Sequence, residues 1–460
     1  MIIEHTIHIP ARDIPVFGEY DVVVCGGGPA GCAAALSARR SGMSVLIIES
    51  QGQLGGMGTS GLVSHWLGGR TADGKWIVGG IFRELSEEAA AQGFALLPRE
   101  DAGVKYPPHG WFNGLVHGVP FDPFSMAAYL DRKMMTDGVE ILFETRVVDA
   151  MVVDGQINHL LIANKSGIQV VAARAVVDAT GDADVAAYAG CPTVLGRDGD
   201  HLMTPTTLMF HVDNVDQTAL SAYIQDKESP RLKELILALR AIGEWTFPYE
   251  IFISVQLQEP GVMMINTSRL VGIDGTDPRS LTRGMIRGRE ETQQLVGLMR
   301  KYIPGCAHAR IKAVATLLGV RETRRIVGDY VLSVDDLVTG KVFADTIGLS
   351  GYWWDLPDPK RPSHQPMEGR KAPYPTPIPY RVMVPQVVKN LICPGRAISV
   401  ERDVLGPLRV MAPVMAMGEA AGVAASQVVS QNVSFADVDI ETLRNTLHEN
   451  GAIISVVDIA

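Results

Sequence analysis

The sequence predicts an α/β fold: one domain built on a parallel sheet with an attached β-meander, and a second, mixed α+β domain. Three observations predict it. Residues 21–49 read as a buried strand, a glycine turn, a helix and a second buried strand. Residues 139–174 alternate apolar and polar side chains around Asp154-Gly155 and Lys165-Ser166-Gly167, the pattern of a three-stranded meander. From about residue 200, apolar strands are interrupted by helices until a buried strand returns at Asn390.

The first element is justified by its glycines. Gly26, Gly28 and Gly31 follow the apolar run Val22-Val23-Val24-Cys25 at G-x-G-x-x-G spacing. The first glycine permits a tight turn, the second lets backbone approach a pyrophosphate, and the third lets the helix lie close to the sheet. The helix opening at Pro29 and Ala30 offers free N–H groups and positive dipole to phosphate. Glu49 closes the second strand roughly 20 residues after the turn, where an acid can bind both ribose hydroxyls. Strand, helix, second strand and acid in this order predict a Rossmann-like site for an adenine dinucleotide.

The remaining elements follow in order. Residues 1–18 alternate weakly (Ile3, His5, Ile7, Ile9) and predict an extended arm. A glycine-rich loop spans 54–61, a helical pattern runs from about 81 to 92, and 94–121 is loop-like. Asp122-Pro123 supplies an N-cap and a first-turn proline for a helix that ends at Gly138. Residues 175–178 form another buried strand running into Thr180-Gly181-Asp182. Beyond residue 200, strands are expected at 206–212, 251–256 and 262–266, and a helix at 280–302 after Asp277-Pro278. Residues 352–379 hold eight prolines and little periodicity, a length that points to a functional or disordered segment. After the buried strand at 390–393, a helix is expected from Gly406-Pro407 to about Ser430, then a small helix and a strand in the tail. The chain thus divides into a first domain over 1–199 with its arm, a second over 200–384, a return to the first over 385–430, and a tail over 431–460.

Composition excludes several function classes. A formal charge of -10 argues against broad binding to nucleic acid or anionic membrane. No run of about 18 apolar residues suggests a membrane span. The start, Met1-Ile2-Ile3-Glu4-His5, has no basic flank, apolar core or small-residue cleavage site, so no signal peptide is read there. Five scattered cysteines, at 25, 32, 191, 306 and 393, suggest free buried thiols in a reducing compartment. A cytoplasmic protein is the expectation. HExxH, G-x-S-x-G and P-loop sequences are absent, which removes metal hydrolysis, acyl transfer and NTPase readings.

Five stretches together resemble FAD-dependent oxidoreductases of the glutathione-reductase-like superfamily, in its single-dinucleotide-motif branch: 21–49, 54–61, 177–190, 319–330 (GVRETRRIVGDY) and 380–422. The resemblance implies a non-covalently bound FAD. By it, Gly26, Gly28, Pro29, Ala30 and Gly31 hold the pyrophosphate, and Glu49 with Ser50 the adenosine ribose. Gly55, Gly56, Met57, Thr59 and Ser60 line the ribityl chain and isoalloxazine. Val147 or Val148 meets adenine through backbone groups. Ala179, Thr180, Gly181 and Asp182 close over the adenosine half, and Gly395 and Arg396 lie near the pyrophosphate or ribityl. The helix at Gly406 presents N–H groups of Leu408, Arg409 and Val410 to the flavin pyrimidine oxygen. The sequence departs from the disulfide reductases, since no C-x-x-x-x-C follows the glycine loop and no second G-x-G-x-x-G serves NADPH. Arg402 and Pro407 stand where relatives often carry His and Ser, and Pro357 where an Asp-x-His often ends.

The chemistry expected is hydride transfer between a small organic substrate and FAD, with oxygen, a quinone or a carrier protein as second partner. A flavin monooxygenase, an RNA-modifying flavoprotein and a purely structural FAD are the rivals, and a homo-oligomer is compatible with the chain. Arg409 is the candidate for stabilising reduced flavin. Arg324, in the dense knot Arg321-Glu322-Thr323-Arg324-Arg325, is a substrate-cleft candidate. Tyr380-Arg381 is a candidate carboxylate site. His65, His109 and His117 lie in glycine- or proline-rich loops and are candidate bases, and Tyr352 and Trp354 open the proline-rich segment, read as a lid or wall.

Overall fold

The computed structural model describes residues 7–8, 10–71, 74–97, 118–367, 369–370 and 374–459. Most of the arm's alternating residues and most of the loop-like stretch, including His109 and His117, lie outside these.

The strand Val16–Cys25 lies centrally, parallel to Val45–Ile48 on one side and to Gly167–Asp178 on the other. The register pairs Cys25 with both Ile48 and Asp178, so three strands end in step. All three are buried there, and their near-continuous Val, Ile and Ala runs suit a sheet covered on both faces. Glu140–Leu142 adds a parallel edge beyond Val45–Ile48. The meander is present as Arg146–Val153, Gln156–Asn164 and Gly167–Asp178. Its third strand and the buried strand read separately at 175–178 are one continuous element. Residues 167–172 of it pair antiparallel with the meander, whereas Val176 and Val177 pair parallel with Leu391 and Ile392. The sheet forks there, and the returning chain fills the place the meander vacates.

Helix Pro29–Arg40 is alanine-rich and nearly all buried because it is clamped between the sheet and helix Met411–Gln431. Small residues set that approach. A Cβ on Gly418 would stand 2.1 Å from the Ala30 carbonyl oxygen, and one on Gly422 would stand 2.4 Å from that of Ala34. At i,i+4 spacing the two glycines share one helix face. Helix Pro123–Asp137 begins and ends where its signals place it: Asp122 accepts from Ser125 N, and Gly138 closes it at φ 81°.

A second, antiparallel sheet has the order Ser254–Gln256, Met263–Ile265, Phe210–Asp213, Arg310–Val314. Helix Pro278–Tyr302, capped by Asp277, lays Leu295, Val296 and Met299 on the same apolar cluster as Phe210, Val212 and Ile265. Thr346–Ser350 pairs with Thr376–Pro379, closing the base of the proline-rich segment.

Two expectations need correction. The last long helix is not continuous from Gly406: the segment Arg402–Leu408, which ends in the short turn Leu405–Leu408, meets Met411–Gln431 at a bend of 93°. Pro413 is the cause, because its ring would clash with the Arg409 carbonyl in an unbroken helix and it has no N–H to donate there. The tail contains helix Ile440–Glu449 but no strand among the described residues; Ile453 and Ile454 are buried without ladder partners. No single described helix is long and apolar enough to cross a membrane, although the bent pair passes by length and composition. The five cysteines are free and buried.

Candidate active site

A cavity of about 1230 Å³ opens beyond the carboxyl ends of the parallel strands, where Cys25, Ile48, Glu49 and Ala179 all line it. Crevices for ligands in open α/β sheets lie at this edge. The volume exceeds the ~300–1,000 Å³ of an ordinary small-molecule pocket.

Its first wall is the glycine turn. Gly26 has φ 104°, and its N–H donates to Ile48 O at 2.8 Å. A Cβ on Gly31 would sit 1.8 Å from Gly26 O, whereas one on Gly28 would meet nothing within 4 Å. Gly31 therefore serves packing, and Gly28 keeps an open cradle at the N-terminus of helix Pro29–Arg40. Gly27 N donates to Glu49 Oε2 at 2.6 Å, and Gln51 N and Ser50 Oγ donate to Oε1 at 2.8 and 3.1 Å. The carboxylate is thus fixed from both oxygens while lining the cavity beside Ser50.

Val147 and Val148 line the same end, as do Ala179, Thr180, Gly181 and Asp182. Asp178 beneath them is fully buried, accepting from Thr180 Oγ1 at 2.6 Å and Ala186 N at 2.9 Å. Burial pushes its carboxyl up to about 6 despite those donors. Arg396 pairs with Asp182 and lies against Gly181, with Gly395 beside it at φ 110°.

In the second glycine loop only Gly56 and Met57 line the cavity. Gly55 has φ 96° and donates to Gly27 O, and a Cβ on Gly56 would stand 2.8 Å from Gly28 Cα, so the two glycine turns pack on each other. Thr59 and Ser60 face inward instead: Thr59 Oγ1 donates to Leu54 O, and Ser60 Oγ accepts from Gln53 Nε2.

The far end gathers His65, Thr207, Tyr249, Arg269, Arg321, Tyr352, Asp355 and Arg409. Asp355 accepts from Tyr352 OH at 2.9 Å and from Gln365 Nε2 at 3.1 Å, and pairs with Arg409 Nη2 at 3.3 Å. Burial opposes its charge, but Arg409, Arg321, the Tyr352 hydroxyl and Arg269 together hold it below the usual carboxylate range. Burial, and then Asp355, push the Tyr352 phenol well above its ordinary value. The proline-rich segment is a wall here, with Tyr352, Trp353, Trp354, Asp355, Gln365 and Met367 lining the cavity. His65, 2 % exposed, also lines it from a short strand paired with Val119–Pro120. His211, which meets Ser64 Oγ at 3.4 Å, is buried, bonded to Leu62 O, and held down to about 4 by burial.

Several sequence candidates lie elsewhere. Tyr380 is buried in the core and donates to Phe435 O. Arg381 does grip a carboxylate bidentately, but it is that of Asp345, at 2.8 Å to each oxygen. Arg324 pairs with Asp184 and donates to Asp182 O, and does not line the cavity. Leu408 is fully buried in the core, and the Arg409 N–H is spent on Leu405 O, so the free N–H groups belong to the helix restarting after Val410. Glu322 is fully buried between Arg325 and Arg402, an internal ion network with Arg402 Nη2 at 2.8 Å. Sequence reasoning missed Arg269; its one local signal is an arginine set among Thr267, Ser268 and Leu270, all buried.

A family model described as "FAD dependent oxidoreductase" matches residues 21–447. Digeranylgeranylglycerophospholipid reductase 1 of Methanococcoides burtonii is 25% identical over 221 residues, 46% of this chain and 50% of that protein. Dihydrolipoyl dehydrogenase of Trypanosoma brucei brucei is 49% identical over 45 residues, 10% of this chain and 9% of that protein. The chain therefore spans about half the length of the first of these curated relatives and far less of the second. Among solved structures, a geranylgeranyl bacteriochlorophyll reductase-like protein from Thermoplasma acidophilum aligns with TM-score 0.46 and 14% identity, covering 96% of this chain and 94% of that one. The p-nitrophenol 4-monooxygenase from Pseudomonas putida aligns with TM-score 0.49 and 14% identity, covering 94% and 88%. The family match takes in both glycine turns, the meander, the second sheet and the returning helix, and the chain belongs to the FAD dependent oxidoreductase family.

Proposed function

We propose that this chain binds FAD non-covalently along the glycine wall and oxidises or reduces a small organic molecule at the arginine-rich end of the same cavity. The observation that carries the reading is the open face of Gly28 between a helix N-terminus and a fixed acid, Glu49. A Cβ there would fill the place a pyrophosphate needs. Gly26, Gly28, Pro29 and Ala30 would hold the pyrophosphate, and Glu49 and Ser50 the ribose. Val147 and Val148 would face adenine. Ala179 to Asp182, with Gly395 and Arg396, would close over the adenosine half and its phosphates. Gly56, Met57, Arg409 and Val410 would border the flavin. Bound FAD supplies a hydride acceptor or donor.

The chain's own residues do the rest. The wall from Tyr352 to Met367 excludes water from the reacting end. The Tyr352 hydroxyl, hydrogen-bonded to Asp355, holds a proton there because its phenolate is strongly disfavoured. Arg409 supplies positive charge. The division of the chain at 199, 384 and 430, and its place in the single-motif branch of the glutathione-reductase-like superfamily, belong to the same reading; the forked sheet with its returning strand supports both. So does delivery of electrons to oxygen, a quinone or a carrier protein rather than exchange with NADPH, since the sequence has one dinucleotide motif. Acid precipitation of the purified protein tests the cofactor: FAD should appear in the supernatant. Flavin retained in the pellet contradicts non-covalent binding, and a protein that takes up no flavin contradicts the whole reading. Anaerobic screening of substrates for flavin bleaching then tests the activity.

A further inference from the structure

Arg269 and Arg321 reach the cavity from different segments and share the same two neutral acceptors. Thr207 Oγ1 accepts from Arg269 Nη1 at 3.0 Å and from Arg321 Nη2 at 2.9 Å. Asn266 Oδ1 accepts from the same two nitrogens at 3.1 and 3.2 Å. Arg269 is 4 % exposed and is stacked over the Tyr249 ring at 4.2 Å. Neither arginine forms an ion pair among the described residues, although both line the cavity. Arg409 beside them has Asp355; Arg396 at the opposite end has Asp182. Guanidinium groups do not deprotonate in proteins. Two like charges are therefore held together, Arg269 nearly dry and Arg321 half-buried, with neutral acceptors in contact and one carboxylate in range, Asp355, which is already paired with Arg409. Such an arrangement is costly unless a charge of opposite sign completes it. Burial, then Arg269 and Arg409, already pull Arg321 well below its ordinary value.

We propose that Arg269 and Arg321 are a binding site for the carboxylate of an acid substrate, and that the body of this acid is apolar. The second clause rests on the neighbouring lining: Phe252 precedes Ile253, whose O accepts from Asn266 N, and Met264 and Met209 stand two positions from Asn266 and Thr207 in the chain and line the cavity. The proposal rests on the reading of the cavity given above and names its substrate class. It also explains why Arg381 is not that site, since its carboxylate partner is supplied by the chain itself.

The test uses the FAD-loaded protein and a panel of hexanoate, benzoate and phenylacetate, each paired with its amide, with phenyl phosphate as a further arm. Binding is read as flavin absorbance perturbation and as a rise in melting temperature. At least one carboxylate should bind saturably where its amide does not. Arg269→Gln and Arg321→Gln should each weaken it about tenfold to hundredfold, the loss expected for a charge-assisted hydrogen bond. Arg321→Lys should recover part of the loss, and FAD content should be unchanged in all three variants. No carboxylate binding, amides equal to acids, phenyl phosphate preferred over every carboxylate, or glutamine variants binding like wild type would each overturn the proposal. FAD lost specifically from these variants would assign the pair to the cofactor instead. A wild-type protein that takes up no FAD would fail the earlier reading, and the melting-temperature arm on that protein would still decide whether the acids bind.

Discussion

Gly27 donates its backbone N–H to Glu49 Oε2 at 2.6 Å, tying the first glycine turn to a carboxylate 22 positions later. The side chain expected to bind ribose therefore also holds the turn expected to bind phosphate. Glu49→Ala removes that bond and the one from Gln51 N at 2.8 Å. Hydrogen bonds to charged groups are worth about 1.5–3 kcal/mol each, so FAD affinity should fall by tenfold or more. Glu49→Gln, which can still accept from Gly27, should fall less. Fluorescence titration of the stripped protein with FAD measures both, and equal affinities across the three proteins would remove Glu49 from the site.

The two glycines on either side of Pro29 and Ala30 should respond in opposite ways. Gly28→Ala meets nothing within 4 Å, and Gly28 already has an ordinary φ of -72°. That variant should fold with wild-type stability and lose FAD. Gly31→Ala places a methyl 1.8 Å from Gly26 O, which forces backbone apart and should cost at least about 1–3 kcal/mol. It should lose stability and cofactor together. Melting temperatures of the cofactor-free proteins separate the cases; a destabilised Gly28→Ala with FAD still bound would contradict the cradle.

What the sequence made legible was local. The glycine turn, the Asp122-capped helix and the meander announce themselves within a few residues, because turn geometry and capping are short-range. Helix Pro123–Asp137 was readable to the residue for that reason. The fork in the sheet was not, because it depends on Leu391 meeting Val176 across more than two hundred positions. The site followed the same division. Its glycine wall could be read from spacing, and Arg409 and the knot that holds Arg321 were candidates at its cationic end, but the place of Arg269 there could not be read. Arg381 and Arg269 look alike in sequence, and only folding gives the first an internal partner, Asp345, and leaves the second beside Arg321. The break before Met411 is foreshadowed by Pro413, which lies inside the stretch that Gly406-Pro407 alone would open as one helix.

Glu419 predicts a pH dependence. Its carboxyl is buried in helix Met411–Gln431, accepts from Ile81 N at 3.0 Å, and is pushed up to about 7 by burial. Unfolded, a glutamate titrates near 4.3. Between these values the native state binds more protons than the unfolded state, so this group's contribution to stability declines as pH rises from about 4.3 to 7 and is then level. Glu419→Gln keeps an acceptor for Ile81 and removes the titration. Its melting temperature should exceed wild type at pH 8, by an amount equivalent to about 1–3 kcal/mol, with the gain shrinking as pH falls toward 4.5. A difference that does not change with pH would mean that Glu419 does not titrate in this range.

Arg409 and Asp355 should tune the flavin in opposite directions. Arg409 Nη2 lies 2.7 Å from the Asp355 carbonyl oxygen and 3.3 Å from Oδ2, in the wall that also carries Val410 and Met411. If reduced flavin places its negative charge at this end, Arg409→Ala should lower the reduction potential while leaving FAD bound, since the residues proposed to hold phosphate and ribose lie at the other end. A loss of about 1.4 kcal/mol corresponds to about 30 mV for a two-electron couple, which dye-linked potentiometry resolves. The single substitution does more than remove a charge, because it leaves Asp355 buried without its principal counter-ion. Burial then prevails, so Asp355 should take up a proton at higher pH than in wild type. The deficit in potential should therefore shrink as pH is lowered. Asp355→Asn alone should raise the potential, and the double variant, which removes a pair of zero net charge, should lie closer to wild type than Arg409→Ala does. Potentials that are the same in wild type, Arg409→Ala and Asp355→Asn would place the pair outside the field of the flavin and leave the helix dipole after Val410 as the remaining source of positive potential.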